Sequence, residues 1–191
     1  MSKKSKIFLC IGFSFVAFSI ALFVGYELTS KSELEKGQKI VAEIEKAFPQ
    51  RQSGVLGEYS STQMPVLEIF DKDVIALVEI PKYRVALPVE SEWHSSVFAN
   101  LPMRISGSVY DGTLTVRGMD SKGQFDCASS LQIGDEIKVI DMTGAEFKFA
   151  VHEMLRKSAN ETDTLEKGSD FTLIIKEQYS FDCIVVVCKQ K

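Results

Sequence analysis

Glu136-Ile137-Lys138-Val139-Ile140-Asp141-Met142-Thr143-Gly144-Ala145-Glu146-Phe147-Lys148-Phe149-Ala150-Val151 is the stretch on which the fold is decided. Charged and apolar residues alternate from Glu136 to Asp141 and again from Glu146 to Val151. Side chains of a strand point to opposite faces in turn, so a period of two marks a strand with one buried face. Thr143-Gly144 supplies the turn between the two runs, and the whole reads as a β-hairpin.

Strands continue on both sides of this hairpin. Val74 to Ile80 is apolar enough to be a buried strand and is ended by Pro81-Lys82. Val85 to Val89 follows, and Pro88 makes it an edge or bulged strand, because proline cannot donate to a ladder. Leu114 to Val116 is short and apolar. Phe171 to Ile175 and Ile184 to Cys188 complete the set. Several short strands with turns between them predict an all-β barrel or sandwich over residues 66–191.

The N-terminal part is of another kind. Ile7 to Gly25 carries no charge and follows Lys3, Lys4 and Lys6. As a helix it would span roughly 28 Å, close to a bilayer's hydrocarbon thickness. The sequence therefore predicts a cytoplasmic tail at 1–6 and a transmembrane anchor at 7–26. The lysines would stay inside and the remainder would be a single-pass, extracytoplasmic domain at the cell membrane. A cleaved signal peptide is the alternative, but no small-residue cleavage site follows in Tyr26-Glu27-Leu28-Thr29. Residues 27–65 read as an amphipathic helix and a linker. Ser32-Glu33-Leu34-Glu35 fits a capping box, Leu34, Ile40, Val41, Ile44, Ala47 and Phe48 recur at helical spacing, and Pro49 stops the run.

Composition narrows the function classes. The chain has 191 residues, is 45% hydrophobic and 25% charged, and carries a net charge of −4. Those proportions suit a globular domain, and the acidic balance argues against a nucleic-acid partner. Four cysteines (Cys10, Cys127, Cys183, Cys188) show no CxxC spacing, and only two histidines accompany them, so no zinc site is expected. Nothing calls for a cofactor. Cys183 and Cys188 are five apart on one strand and face opposite ways, so they should not pair with each other.

From about Val74 onward the chain resembles the sortases, cysteine transpeptidases of Gram-positive bacteria. Glu79-Ile80-Pro81-Lys82 followed by Ala86-Leu87-Pro88-Val89 looks like the family's opening hairpin. Ser91-Glu92-Trp93 and Arg104-Ile105-Ser106-Gly107-Ser108 resemble a clostridial-type subset. Phe125, Leu131, Gly134-Asp135-Glu136-Ile137 and Thr143-Gly144 match the segment after the family histidine. Phe171-Thr172-Leu173 matches the strand before the family cysteine. Order and spacing carry the resemblance over more than half the chain. It implies a sortase-like closed β-barrel of about eight strands with short helices.

The resemblance also implies a triad: a cysteine nucleophile, a histidine that handles the leaving-amine proton, and an arginine that steadies the oxyanion. In this sequence the histidine position is Met119, the cysteine position Lys176 and the arginine position Cys183. A thioether cannot shuttle protons near neutral pH. A lysine attacks a carbonyl only with a strongly lowered pKa, and a neutral thiol cannot replace a guanidinium. The implied protein is catalytically degenerate, a pseudo-sortase that binds a sorting-signal-like peptide, a surface protein or pilin, or a partner sortase.

Two alternatives stand beside it. One is an active transpeptidase or hydrolase with a rewired site using Cys183, activated by the nearby Lys176 ammonium. The other is a structural cell-envelope protein that keeps only the barrel. Cys183 also reads simply as a small apolar strand residue, and Lys176 as a lysine that reaches solvent at a strand end. In the groove, Lys176 would instead hold an acidic group. His94 and His152 lie away from the family's histidine position. Cys127 reads as a packed thiol on a short helical turn, and Lys157 to Ser169 as a solvated loop.

Overall fold

The structure, a computed structural model, describes residues 3–92, 101–159, 169–178 and 180–191. Within the first helix the described side chains are those of residues 11–25, 32 and 35–47. The chain divides into two compact units, residues 1–35 and 36–191. The first unit is helical, the N-terminal part of α1 (Lys3–Ala47). The second holds the end of α1 and the strands β1 (Gln52–Ser53), β2 (Leu67–Ile69), β3 (Lys72–Ile80), β4 (Val85–Glu90), β5 (Met103–Ser106), β6 (Leu114–Asp120), β7 (Glu136–Asp141), β8 (Ala145–Ser158), β9 (Phe171–Glu177) and β10 (Asp182–Gln190).

Eight of these strands close a ring in the order β8-β10-β9-β6-β5-β4-β3-β7, and β7 returns to β8. Closure removes the outer edges of the sheet, apart from the stretch of β4 that β5 does not reach. β1 hangs on β8 and β2 on β3, outside it. Pairing around the ring is antiparallel except β4 with β5 and β6 with β9. The predicted hairpin is β7–β8, with Val139 opposite Phe147 and Ile137 opposite Phe149. Its inward residues, Ile137, Val139, Phe147, Phe149 and Val151, fill the lumen together with Phe125, Phe171, Leu173 and Ile175.

The outward residues meet a second apolar layer. Ile140 of β7 and Val74 and Leu77 of β3 are covered by Ile40 and Ile44 of α1, both fully buried. The helical stripe read from the sequence thus packs on the barrel, against β3 and β7. Just after the helix, the Arg51 guanidinium donates to both carboxylate oxygens of Glu79, at 2.7 and 2.9 Å, and to Glu146 at 3.3 Å. The hydrogen bonds to Glu79 are the main reason its pKa is held above the ordinary arginine value.

The turn between β7 and β8 depends on one buried carboxylate. Asp141 Oδ1 accepts from Thr143 N, Thr143 Oγ1 and Ala145 N at 2.7–2.9 Å, and Oδ2 accepts from Tyr110 Oη at 2.6 Å. Burial, and then this bond to Asp141, push the Tyr110 phenol well above its usual pKa. Gly144 takes a φ of +86°, which a residue with a Cβ adopts only under strain, and Phe48 lies against it.

Several expectations need correction. The capping box at Ser32 starts no helix, because α1 runs through it without a break. No glycine or proline stands between Tyr26 and Lys36 to stop a helix already formed, and propagation costs less than a new start. Pro88 lies on a strand whose second neighbour, β5, meets it only at Glu90, so β4 is half an edge; the bulge sits on β3, between Val74 and Ala76. The short strands β1, β2 and β5 were not predicted from the alternation, since two to four residues carry too little pattern. Among the described residues no helix is long and apolar enough to cross a membrane. Residues 11–25 of α1 carry no charge. Phe13, Phe15, Phe18 and Phe23 among them are exposed.

Two measurements check this account. Asp141→Ala should cost about 3 kcal/mol in urea unfolding, because it strands several buried donors, while Tyr110→Phe should cost about 1 kcal/mol. Burial raises the Cys127 thiol to about 11 and the Cys188 thiol to about 12, against an ordinary value of 9.0. Above pH 9.0 the unfolded chain releases these protons while the native one keeps them, so the stability they contribute is complete below pH 9.0 and falls as pH rises toward 11 and 12. Urea midpoints should decline over that window, and Cys188→Ala should flatten the decline after its pH-independent packing loss is subtracted.

Candidate functional site

The three positions singled out in the sequence lie side by side. On β9, Leu173 and Ile175 point into the lumen, so Ile174 and Lys176 face outward. β6 runs parallel to β9 and places Met119 directly beside Lys176. β10 runs antiparallel on the other flank and places Cys183 beside the same lysine. Strands are about 4.8 Å apart, so Met119 and Cys183 flank Lys176 within a row roughly 10 Å wide. Lys157 of β8 continues the row beyond Cys183.

Each member of the row is held differently. Met119 is fixed through its backbone: its N–H donates to Gln124 Oε1 at 2.8 Å, and its carbonyl accepts from Phe125 N at 3.1 Å. The preceding Gly118 is required by close approach, since a Cβ there would stand 2.4 Å from the Phe125 ring. Lys176 is half-buried and turns toward the β9–β10 connection. Its Nζ donates to the Ser180 carbonyl at 3.0 Å and lies 5.8 Å from the centroid of the exposed Phe181 ring. Cys183 is fully buried and free of any disulfide.

Electrostatics at Cys183 act in both directions. Burial dominates and raises the thiol above its ordinary value. The cations Arg117 and Lys176 pull it down, while Asp182 and Glu177 push it up. The net result is a protonated thiol at neutral pH, with no imidazole beside it among the described residues. His152 is exposed, at the irregularity where β8 passes Val187 and Cys188, away from the row. His94 and most of the segment from Lys157 to Ser169 lie outside the described residues. Cys127 and Cys188 are buried in the lumen cluster and take no part.

Sequence reasoning missed Arg117. It stands two residues before Met119, so it shares the outer face, in a second row with Ile174, Val185 and Leu155. The alternation of β6 contained that information, but its proximity to Cys183 depends on two cross-strand registers. At the end of the first row a cleft of about 460 Å³ opens, lined by Asp120, Asp126, Glu177 and Ser180. Burial, then the charges of Glu177 and Asp126, raise the Asp120 carboxyl. Glu177 is ion-paired with Arg156. Among the described residues, no set of three or more His, Cys, Asp or Glu is arranged to hold a metal ion. What the face offers is an apolar floor, three cations (Arg117, Lys157 and Lys176) and a resting thiol beside an acidic cleft.

No protein-family model matches the chain, and no curated protein matches it. Solved structures do. Sortase C-1 from Actinomyces oris is 20% identical with a TM-score of 0.53, covering 81% of this chain and 97% of its own. Sortase A from Corynebacterium diphtheriae is 18% identical with a TM-score of 0.54, covering 85% of this chain and 84% of its own. A Clostridium perfringens sortase D5, described as a transpeptidase, is 20% identical with a TM-score of 0.51, covering 85% of this chain and 98% of its own. At such identities the likeness is one of architecture, and it agrees with the eight-stranded ring and its crossing order: the chain has a sortase-like fold.

Proposed function

We propose that this chain is a catalytically degenerate sortase-like protein, held at the membrane by its N-terminal helix, that binds a sorting-signal-like peptide or a partner protein without transpeptidation. The observation that carries this reading is the row Met119-Lys176-Cys183, one residue from each of three adjacent strands. A nucleophile, a base and an oxyanion cation would have to converge there. A thioether, an ammonium bound to a carbonyl and a buried thiol converge instead. Removing one such group costs many orders of magnitude, and three together leave no route to the acyl-enzyme. Barrel, register and apolar floor do not depend on those side chains, which supports a face that still accepts a ligand. Membrane attachment is supported by the uncharged run Ile7 to Gly25 behind three lysines.

A second reading is an active hydrolase or transpeptidase that uses Cys183. It is favoured by the two cations that draw the thiol downward, and opposed by the burial that outweighs them. Purely structural retention of the barrel would leave the outer face without any ligand.

The tests separate these readings. A fluorescent sorting-signal peptide mixed with the full chain should give no cleavage product. It should bind, and Lys176→Ala or Arg117→Ala should weaken that binding about tenfold. Turnover that disappears in Cys183→Ala would establish the enzyme reading, and absence of both binding and turnover the structural one. Maleimide should label Cys183 at pH 7 far more slowly in the native chain than in denaturant, so rapid native labelling would contradict a resting thiol.

A further inference from the structure

The hairpin of β2 and β3 carries three local conflicts that the fold does not need. Its two-residue loop is Phe70-Asp71, and both residues take positive φ, 49° and 61°. Such a loop is ordinarily Asn-Gly, because a bulky side chain is strained there. Phe70 is also 55% exposed, so packing does not repay the strain. Directly behind the loop, Glu68 stands opposite Asp73, a like-charged cross-strand pair, which opposes strand pairing. Finally, β2 ends the strand order. Among the described residues no strand pairs with its outer edge, where Val66 and Leu67 are exposed.

The surroundings have one sign. A cleft of about 540 Å³ beside the hairpin is lined by Glu68, Asp71, Asp73, Glu90 and Glu92, with a single base, Lys72. That lysine already donates to Glu90 at 2.9 Å. Strain and repulsion of this kind persist in a folded protein when they serve something outside it.

We infer that this hairpin is a docking site for a basic, extended segment of a partner protein, which adds along the outer edge of β2, unpaired among the described residues, packs on Phe70 and neutralises the carboxylates. Backbone groups of β2 supply hydrogen bonds, and Phe70, Val66 and Leu67 supply the apolar contact. Glu68, Asp73 and Asp71 supply charge complementarity that a lysine- or arginine-bearing strand would satisfy. A second copy of this chain is the wrong occupant, because it would bring the same acidic hairpin to the contact. The site lies on β2 and β3, whereas the proposed peptide groove lies on β6, β9 and β10, so each is tested without the other.

The probe is a synthetic ten-residue peptide of alternating lysine and valine, titrated against the full chain by fluorescence anisotropy, with a glutamate–valine peptide as control. The lysine peptide should bind, with affinity that falls steeply between low and physiological salt, and the control should not. Phe70→Asn combined with Asp71→Gly should reduce affinity at least tenfold while raising the melting temperature by about 2–6 °C, since it relieves the turn. Glu68→Gln with Asp73→Asn should reduce affinity and remove most of the salt dependence. Lys176→Ala should leave this binding unchanged. The proposal is overturned if the lysine peptide does not bind at low salt, or if the turn variant binds it as well as the parent does. It is equally overturned if sedimentation shows that the chain self-associates through this hairpin.

Discussion

Strand β7 hydrogen-bonds to β3 on one side and to β8 on the other, and that double pairing turns an open sheet into a ring. Everything else is arranged around it. Closure divides the side chains into a lumen set and an outer set, which is why the alternation in Glu136–Val151 carries so much weight. It also fixes which outer faces exist. Helix α1 covers the β3–β7 side through Ile40 and Ile44. The β6-β9-β10 face lies across the ring from there, so the helix in this unit does not cover the row at Lys176.

Legibility in the sequence followed the strength of each element's own pattern. β3, β7, β8, β9 and β10 are long enough to show alternation or a continuous apolar run, and their positions agree with the reading. β1, β2 and β5 are held by neighbours and not by their own composition; β5 exposes Ile105, against any pattern of burial. The capping box at Ser32 was a valid local motif overruled by a helix that had already propagated. At the candidate site the three positions could be named from resemblance alone, but their adjacency could not, because parallel pairing of β6 with β9 joins segments far apart in the chain. Arg117 was invisible for the same reason.

The scaffold of the site is independent of the side chains in its outer row. Gly118 against Phe125, and the two backbone bonds of Met119, hold the end of β6 in place whatever side chain position 119 carries. The register beside it is set by backbone ladders that are equally indifferent to Lys176 and Cys183. Chemistry at such a face would depend on a few terminal atoms, whereas the face itself depends on main-chain geometry and a buried apolar floor. Substitutions in the row would leave that geometry standing.

The parallel ladder between β6 and β9 has a kinetic side. A strand pair of this kind forms only after a long loop has closed, and loop closure draws on chain entropy before any contact returns it. β10 then has to insert between β8 and β9, and it is the last strand in the chain. The ring therefore completes late, from its C-terminal end, with β8 and β9 exposing unpaired edges until it does. A chain emerging N-terminus first would spend that interval with sticky strands uncovered, and its folding yield would be governed by how quickly the nine residues of β10 find their slot.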